Sequence, residues 1–169
     1  MKTIMILIFH LLLLSNIYGQ STSNELGQKI FFAFKHDLLN LIDNYRLKKD
    51  ELPAFFSANG LDTTSNQFLN YKSEYAEISK KLIDKCKSIE NDTLENGISW
   101  KDAELQIITL KDQNGLNLLD DNRNSHMLLE ITFISDNRHF HLLVETLYGI
   151  DKKWKVGNYV SFIGELKYD

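Results

Sequence analysis

The spacing of apolar residues changes once along this chain, near Trp100, and that change limits the fold more than any other feature. Upstream, apolar side chains recur every three or four residues, as one face of a helix requires. Downstream they alternate, as one face of a strand requires. Helices followed by consecutive strands describe an α+β chain. The expected architecture is two long N-terminal helices packed on one face of a four-stranded antiparallel meander sheet.

The first helix is expected to start at Ser23, as its cap, and to run to about Leu47. Leu26, Ile30, Phe34, Leu38, Leu41 and Tyr45 form its apolar stripe, widened by Phe31, Leu39 and Ile42. Lys48 and Lys49 suit the negative end of its dipole. Pro53, the one proline, and Asn59-Gly60 mark a break holding a short helical turn anchored by Phe55 or Phe56. The second helix is expected from Ser65 to Ile89, with Phe68, Tyr71, Tyr75, Ile78, Leu82, Cys86 and Ile89 inward. Residues 91–97 read as a polar loop that carries a glycosylation sequon, Asn91-Asp92-Thr93.

A strand is expected from Trp100 to Lys111, followed by a polar loop. The clearest local structure is a hairpin from Met127 to Tyr148 turning at Asp136-Asn137, since both residue types tolerate positive φ. Pairing Ser135 with Arg138 sets Phe133 beside Phe140, Ile131 beside Leu142 and Leu129 beside Val144 on an apolar face. The other face then pairs Ile134 with His139, Thr132 with His141 and Glu130 with Leu143. A three-residue loop, Ile150-Asp151-Lys152, leads into a last strand from Lys153 to Leu166, with Trp154 opposite Tyr148 and Phe162 opposite Phe140.

The N-terminus speaks to location. Lys2 precedes an apolar run, Ile4 to Leu14, of about eleven residues, the length of a secretory signal core and short of a membrane span. Small Gly19 precedes the expected cut, which divides the chain into a signal peptide, 1–19, and a single domain, 20–169. Export to a periplasmic or extracellular space follows as the expectation, with no stable membrane anchor after cleavage. The chain is 43% hydrophobic and 25% charged, ordinary for a globular domain. Its net charge of −4 gives no electrostatic reason to bind nucleic acid. The short basic runs Arg46–Lys49 and Lys152–Lys155 read as a helix terminus and a turn. One cysteine, Cys86, permits no internal disulfide, and its helical position marks it as a small core hydrophobe.

Residues able to do chemistry are sparse. His139 and His141 lie two apart on one strand and so share a face, with Thr132 and Glu130 beside them; these four are the candidate binding residues. A zinc site wants three or four ligands and no strong third is present, so no metal is expected. There is no nucleophile elbow, no cysteine–histidine signature and no glycine-rich phosphate loop, so no catalytic residue and no cofactor are assigned. His36 reads as a packed or partly exposed histidine, and His126 has no nameable partner.

The helices, the following strands and the closing segment Phe140-His-Leu-Leu-Val-Glu-Thr-Leu-Tyr-Gly-Ile-Asp-Lys-Lys-Trp-Lys-Val resemble the cystatin-like α+β superfamily. More narrowly they resemble exported nuclear-transport-factor-two-like (SnoaL-like) domains. The resemblance covers element order over residues 23–166, and its local signature is Lys153-Trp154-Lys155-Val156. It implies a bent sheet wrapped around helices, often dimeric, with a pocket inside the cone, so a homodimer is one expectation. Enzymes of that family place an acid, a base or a tyrosine on the pocket wall. Here the inward positions are apolar apart from Thr146 and Asn158, which counts against catalysis. The leading expectation is a non-catalytic binding protein for a protein partner, of inhibitor or immunity type, or for a small apolar ligand. The rival is a pocketed isomerase or hydrolase using Asn158, Tyr148 and Asp120 or Asp121. A wet cavity would favour the rival and a filled core would exclude it.

Overall fold

The computed structural model describes residues 22–112, 117–118 and 127–164. The expected signal peptide, His126, Asp120, Asp121 and the end of the last expected strand lie outside these residues. Helix α1, Ser23–Lys35, begins one residue earlier than expected, because Thr22 is its cap. The Thr22 hydroxyl accepts from the Glu25 amide at 3.1 Å, and the Glu25 carboxylate accepts from the Thr22 amide at 3.4 Å. This is a reciprocal capping box.

The expected continuation of α1 to Leu47 does not form. Asp37 adopts a left-handed conformation (φ 53°), the Leu38 amide donates to the Ala33 carbonyl at 2.8 Å, and the Asp37 amide donates to Phe34 at 3.4 Å. That is a Schellman termination with aspartate in the place usually taken by glycine. The chain then continues as a 3-10 helix, Leu39–Tyr45, burying Leu39, Ile42 and Tyr45. Their three-residue spacing is the 3-10 period, so the apolar stripe runs on although the axis changes. Helix α2, Leu52–Ala58, starts with Pro53 in its first turn and buries Leu52 and Phe55. Helix α3, Asn66–Glu95, starts one residue later than expected, with Ser65 as its cap. It runs six residues past the expected end, to a stop at Gly97 (φ 75°), so Asn91, Asp92 and Thr93 lie on a helix and not in a loop.

The sheet has four long antiparallel strands, β1 (Glu104–Lys111), β3 (Met127–Ser135), β4 (Arg138–Tyr148) and β5 (Trp154–Ile163), with a two-residue edge strand, β2 (Asn117–Leu118). The order is β2-β1-β3-β4-β5. The β3–β4 register is the expected one at every pair from Ser135–Arg138 to Leu129–Val144. Asp136 (φ 52°) and Asn137 (φ 59°) form the turn. β1 starts four residues later than expected, because 100–103 form turns that carry Trp100 into the core. On β5, Trp154 stands opposite Tyr148 as expected, but Phe162 stands opposite Leu142 and not Phe140. Three residues, Gly157–Tyr159, face Glu145 alone in a bulge. The slip is by two residues, so Phe162 keeps its face. A Cβ at Gly157 would lie 2.5 Å from the Glu145 carboxylate, so a larger residue there would displace that side chain.

Helices α1 and α3 and the 3-10 helix share one core with Leu129, Ile131, Phe133, Phe140, Leu142, Val144, Trp154, Val156 and Val160. The chain then crosses the edge of β5, where Arg46 makes a parallel bridge to Val156. Leu147 points away from the main core, because alternation puts it opposite Thr146 and Tyr148. It packs instead with Leu47, Leu52, Phe55 and Phe68. The expectation of two long helices on one face is therefore corrected: one helix is long, and α2 covers the second face at one end. Aromatic rings run through the main core. Trp100 lies 4.6 Å from Phe34 and 4.5 Å from Phe133, Phe133 lies 5.7 Å from Phe140, and Phe140 lies 5.9 Å from Phe162. Replacing Trp100 with alanine should cost about 3–5 kcal/mol, read as a lower midpoint in urea denaturation.

Candidate functional site

Of the four residues singled out from the sequence, three converge on one atom. Thr132 and His141 are cross-strand partners, and Glu130 is two residues away on β3, on the same face. The Thr132 hydroxyl lies 3.1 Å from His141 Nδ1, and Glu130 Oε1 lies 3.3 Å from it. Glu130 Oε2 takes an ion pair from Lys111 Nζ at 2.8 Å, a partner the sequence reading missed. β1 supplies that lysine because Thr109, and with it Lys111, shares the face of Glu130. His139 stands on the same face opposite Ile134, one pair nearer the turn.

His141 is only 6% exposed, and its Nε2 is buried with no hydrogen-bond partner among the described residues. An ionised carboxylate only accepts hydrogen bonds. His141 Nδ1 faces both the Thr132 hydroxyl and the Glu130 carboxylate. Half-buried Leu143 and Ile134 and exposed Ile107 and Ile163 share this outer face, with Ile163 directly opposite His141. The result is a set of apolar side chains around a buried polar cluster. No group of three or more metal-ligating side chains occurs among the described residues.

Of the rival catalytic set, Asn158 and Tyr148 lie among the described residues. Asn158 is exposed in the β5 bulge and not inward. Tyr148 packs edge-on against Trp154 at 5.1 Å. Thr146 does face inward, with its hydroxyl donating to the Lys155 carbonyl at 2.9 Å.

Two cations from the short basic runs, read from sequence as a helix terminus and a turn, are buried. Arg46, 2% exposed, donates to Asn158 Oδ1 at 3.1 Å, pairs with Asp43 at 3.4 Å, and lies 4.8 Å from the Tyr75 ring. The Ser79 hydroxyl also donates to Asp43, and the Tyr71 hydroxyl to Asn158, so α3, the 3-10 helix and the bulge are tied at one point. Lys155 pairs with Glu51 at 3.2 Å and Asp151 at 3.0 Å. Nothing in the spacing of these residues distinguishes them from surface charges.

A groove of about 600 Å³ lies between the ends of α1 and α3, lined in part by Phe34, His36, Asp37, Glu90 and Trp100. The His36 ring lies 4.2 Å from Phe32. Partial burial and the neighbouring Asp37 charge push the Glu90 carboxyl above its ordinary range. Cys86, beneath it, is free and buried. No family model, curated protein or solved structure matches this chain.

Two outcomes follow from this geometry. A double-mutant cycle between Glu130→Gln and His141→Asn should return a coupling of about 1 kcal/mol in urea denaturation, against near zero for two unlinked residues. Burial, with a smaller push from Glu90, raises the Cys86 thiol from 9.0 to about 12. It should therefore resist a disulfide reagent at pH 8 until the chain unfolds. The folded state holds that proton more tightly, so its contribution to stability is complete below pH 9 and lost as pH rises through about 12.

Proposed function

We propose that this chain is an exported, non-catalytic binding protein that docks a protein partner on the outer face of its sheet, as inhibitors and immunity factors do. The supporting observation is the division of labour between the two faces. The inner face, where a ligand or substrate pocket would lie, is filled by the stack of Phe34, Trp100, Phe133, Phe140 and Phe162. The outer face carries the buried Glu130, Thr132 and His141 cluster, with half-buried Ile134 and Leu143 and exposed Ile107 and Ile163 on the same face. Interfaces draw their energy from such a desolvated centre. The packed inner face argues against both a small apolar ligand and the isomerase or hydrolase reading.

Export rests on the pattern of residues 1–19. Among the described residues, no helix is long and apolar enough to cross a membrane. Kinship with cystatin-like domains rests on element order and on the closing Trp154-Lys155-Val156 strand. Placing a photo-crosslinking amino acid at Ile163, which is 40% exposed, tests the function in cells that make the protein. The expected result is one discrete adduct with a second protein in the exported fraction, reduced about tenfold by His141→Ala. Turnover of a substrate that vanishes with Asn158→Ala, with no adduct formed, would overturn the reading in favour of an enzyme.

A further inference from the structure

Leu147 shares the face of His141 on β4, and Lys155 is its cross-strand partner on β5. Both side chains therefore leave the sheet on the outer face, at the end away from the Asp136-Asn137 turn. Residues 49–64, the stretch that holds α2, cover them there. Leu52 and Phe55 of this stretch are buried with Leu147, Leu47 and Phe68, in a small core separate from the main one. The chain is anchored on either side. Before the stretch, the Leu47 carbonyl accepts from the Tyr75 hydroxyl at 2.8 Å, and Lys48 Nζ donates to the Asp43 carbonyl at 3.1 Å. After it, Ser65 caps α3. Beside both anchors the backbone is irregular and exposed, at Lys49-Asp50 and at residues 59–62, where Gly60 takes a left-handed φ of 70°.

An ion pair ties the stretch to the sheet. Lys155 Nζ lies 3.2 Å from Glu51 Oε1, and Glu51 Oε2 accepts from the Lys48 amide at 2.7 Å. Among the described residues, the other side-chain hydrogen bonds of 49–64 run within the stretch or to Ser65. Lys155 is buried, and a buried charge stripped of its partner is strongly destabilising. This cation has a second partner. Asp151, in the turn before β5, lies 3.0 Å from the same Nζ, so Lys155 stays paired when Glu51 leaves. Lifting Leu52 and Phe55 releases a small part of the apolar surface that unfolding the main core would release, so the two events differ widely in free energy.

We infer that residues 49–64 form a hinged cover that lifts off the outer face as a unit while the main core stays folded, with Glu51 as its latch on Lys155. Closed, it buries Leu147 and Lys155. Lifted, it uncovers a leucine and a cation still paired to Asp151 at one end of that face. The motion depends on the chain's own contacts and occurs whether or not the face docks a protein.

Amide hydrogen exchange followed by NMR, on the protein as recovered from producing cells, tests this. The amides of Phe55, Asn59 and Leu61 donate to carbonyls within the stretch. They should share one protection factor, at least about tenfold below that of the slowest β3 and β4 amides. Glu51→Gln removes the latch charge but keeps an acceptor for the Lys48 amide. It should lower that shared protection about tenfold and leave β3 and β4 unchanged. Asp151→Asn leaves Lys155 to Glu51, so opening strands the cation, and protection of 55–61 should hold or rise. Protection of 55–61 equal to that of β3 and β4 would overturn the inference, because the stretch would then leave only on global unfolding. Protection graded from Phe55 to Leu61, which is fraying, would overturn it too. So would no change with Glu51→Gln, an equal loss in all regions, or a fall with Asp151→Asn as well. The comparison within the unaltered protein decides alone where circular dichroism shows a variant unfolded.

Discussion

The indole of Trp100 is where the helical half of this chain meets the strand half. It stacks on Phe34 from α1 and Phe133 from β3, and its Nε1 donates to the Thr93 hydroxyl of α3 at 2.7 Å. One side chain thus fixes two helices against the sheet, and satisfies its own polar atom where an unpaired donor would cost about 1–3 kcal/mol. The ring stack that begins there occupies the space between the layers. Polar chemistry is displaced to the outer face and to the edges of the sheet.

Much of the strand half was legible in the sequence, because period-two alternation and a turn that needs positive φ leave little choice of register. Every β3–β4 pair checked from Asp136-Asn137 outward is the expected one. Phe162 escaped that logic, since a two-residue bulge changes the partner without changing the face, and alternation records only faces. The break in the first helix was hidden for a related reason. Leu39, Ile42 and Tyr45 keep an apolar stripe at three-residue spacing, so the pattern survives while the helix does not. Asp37 was the available signal, as one of the residue types that enters the left-handed region with little cost.

The site was legible in part. Strand alternation put Glu130, Thr132 and His141 on one face, but their convergence on one His141 nitrogen depends on side-chain distances that alternation does not record. Lys111 could not be found without the β1 register. The buried Arg46 and Lys155 were invisible for a different reason: lysine and arginine in a short basic run are ordinarily solvated, and only tertiary partners reveal otherwise. A buried guanidinium contributes less to stability than to geometry, because desolvation offsets most of its attraction to Asp43. What it contributes here is placement, holding the 3-10 helix and α3 against the β5 bulge.

The end of α3 bears on when this chain can be modified. Attachment of a glycan at Asn91 requires the Thr93 hydroxyl to be accessible two residues on. In the folded protein that hydroxyl donates to the Glu90 carbonyl at 2.8 Å and accepts from Trp100, within a helix. Asn91 is therefore an acceptor only in the nascent chain, before Trp100 has docked. Its occupancy in any glycosylating host would be set by a race between the modifying enzyme and the closure of the core. The glycan would then serve as a clock for folding.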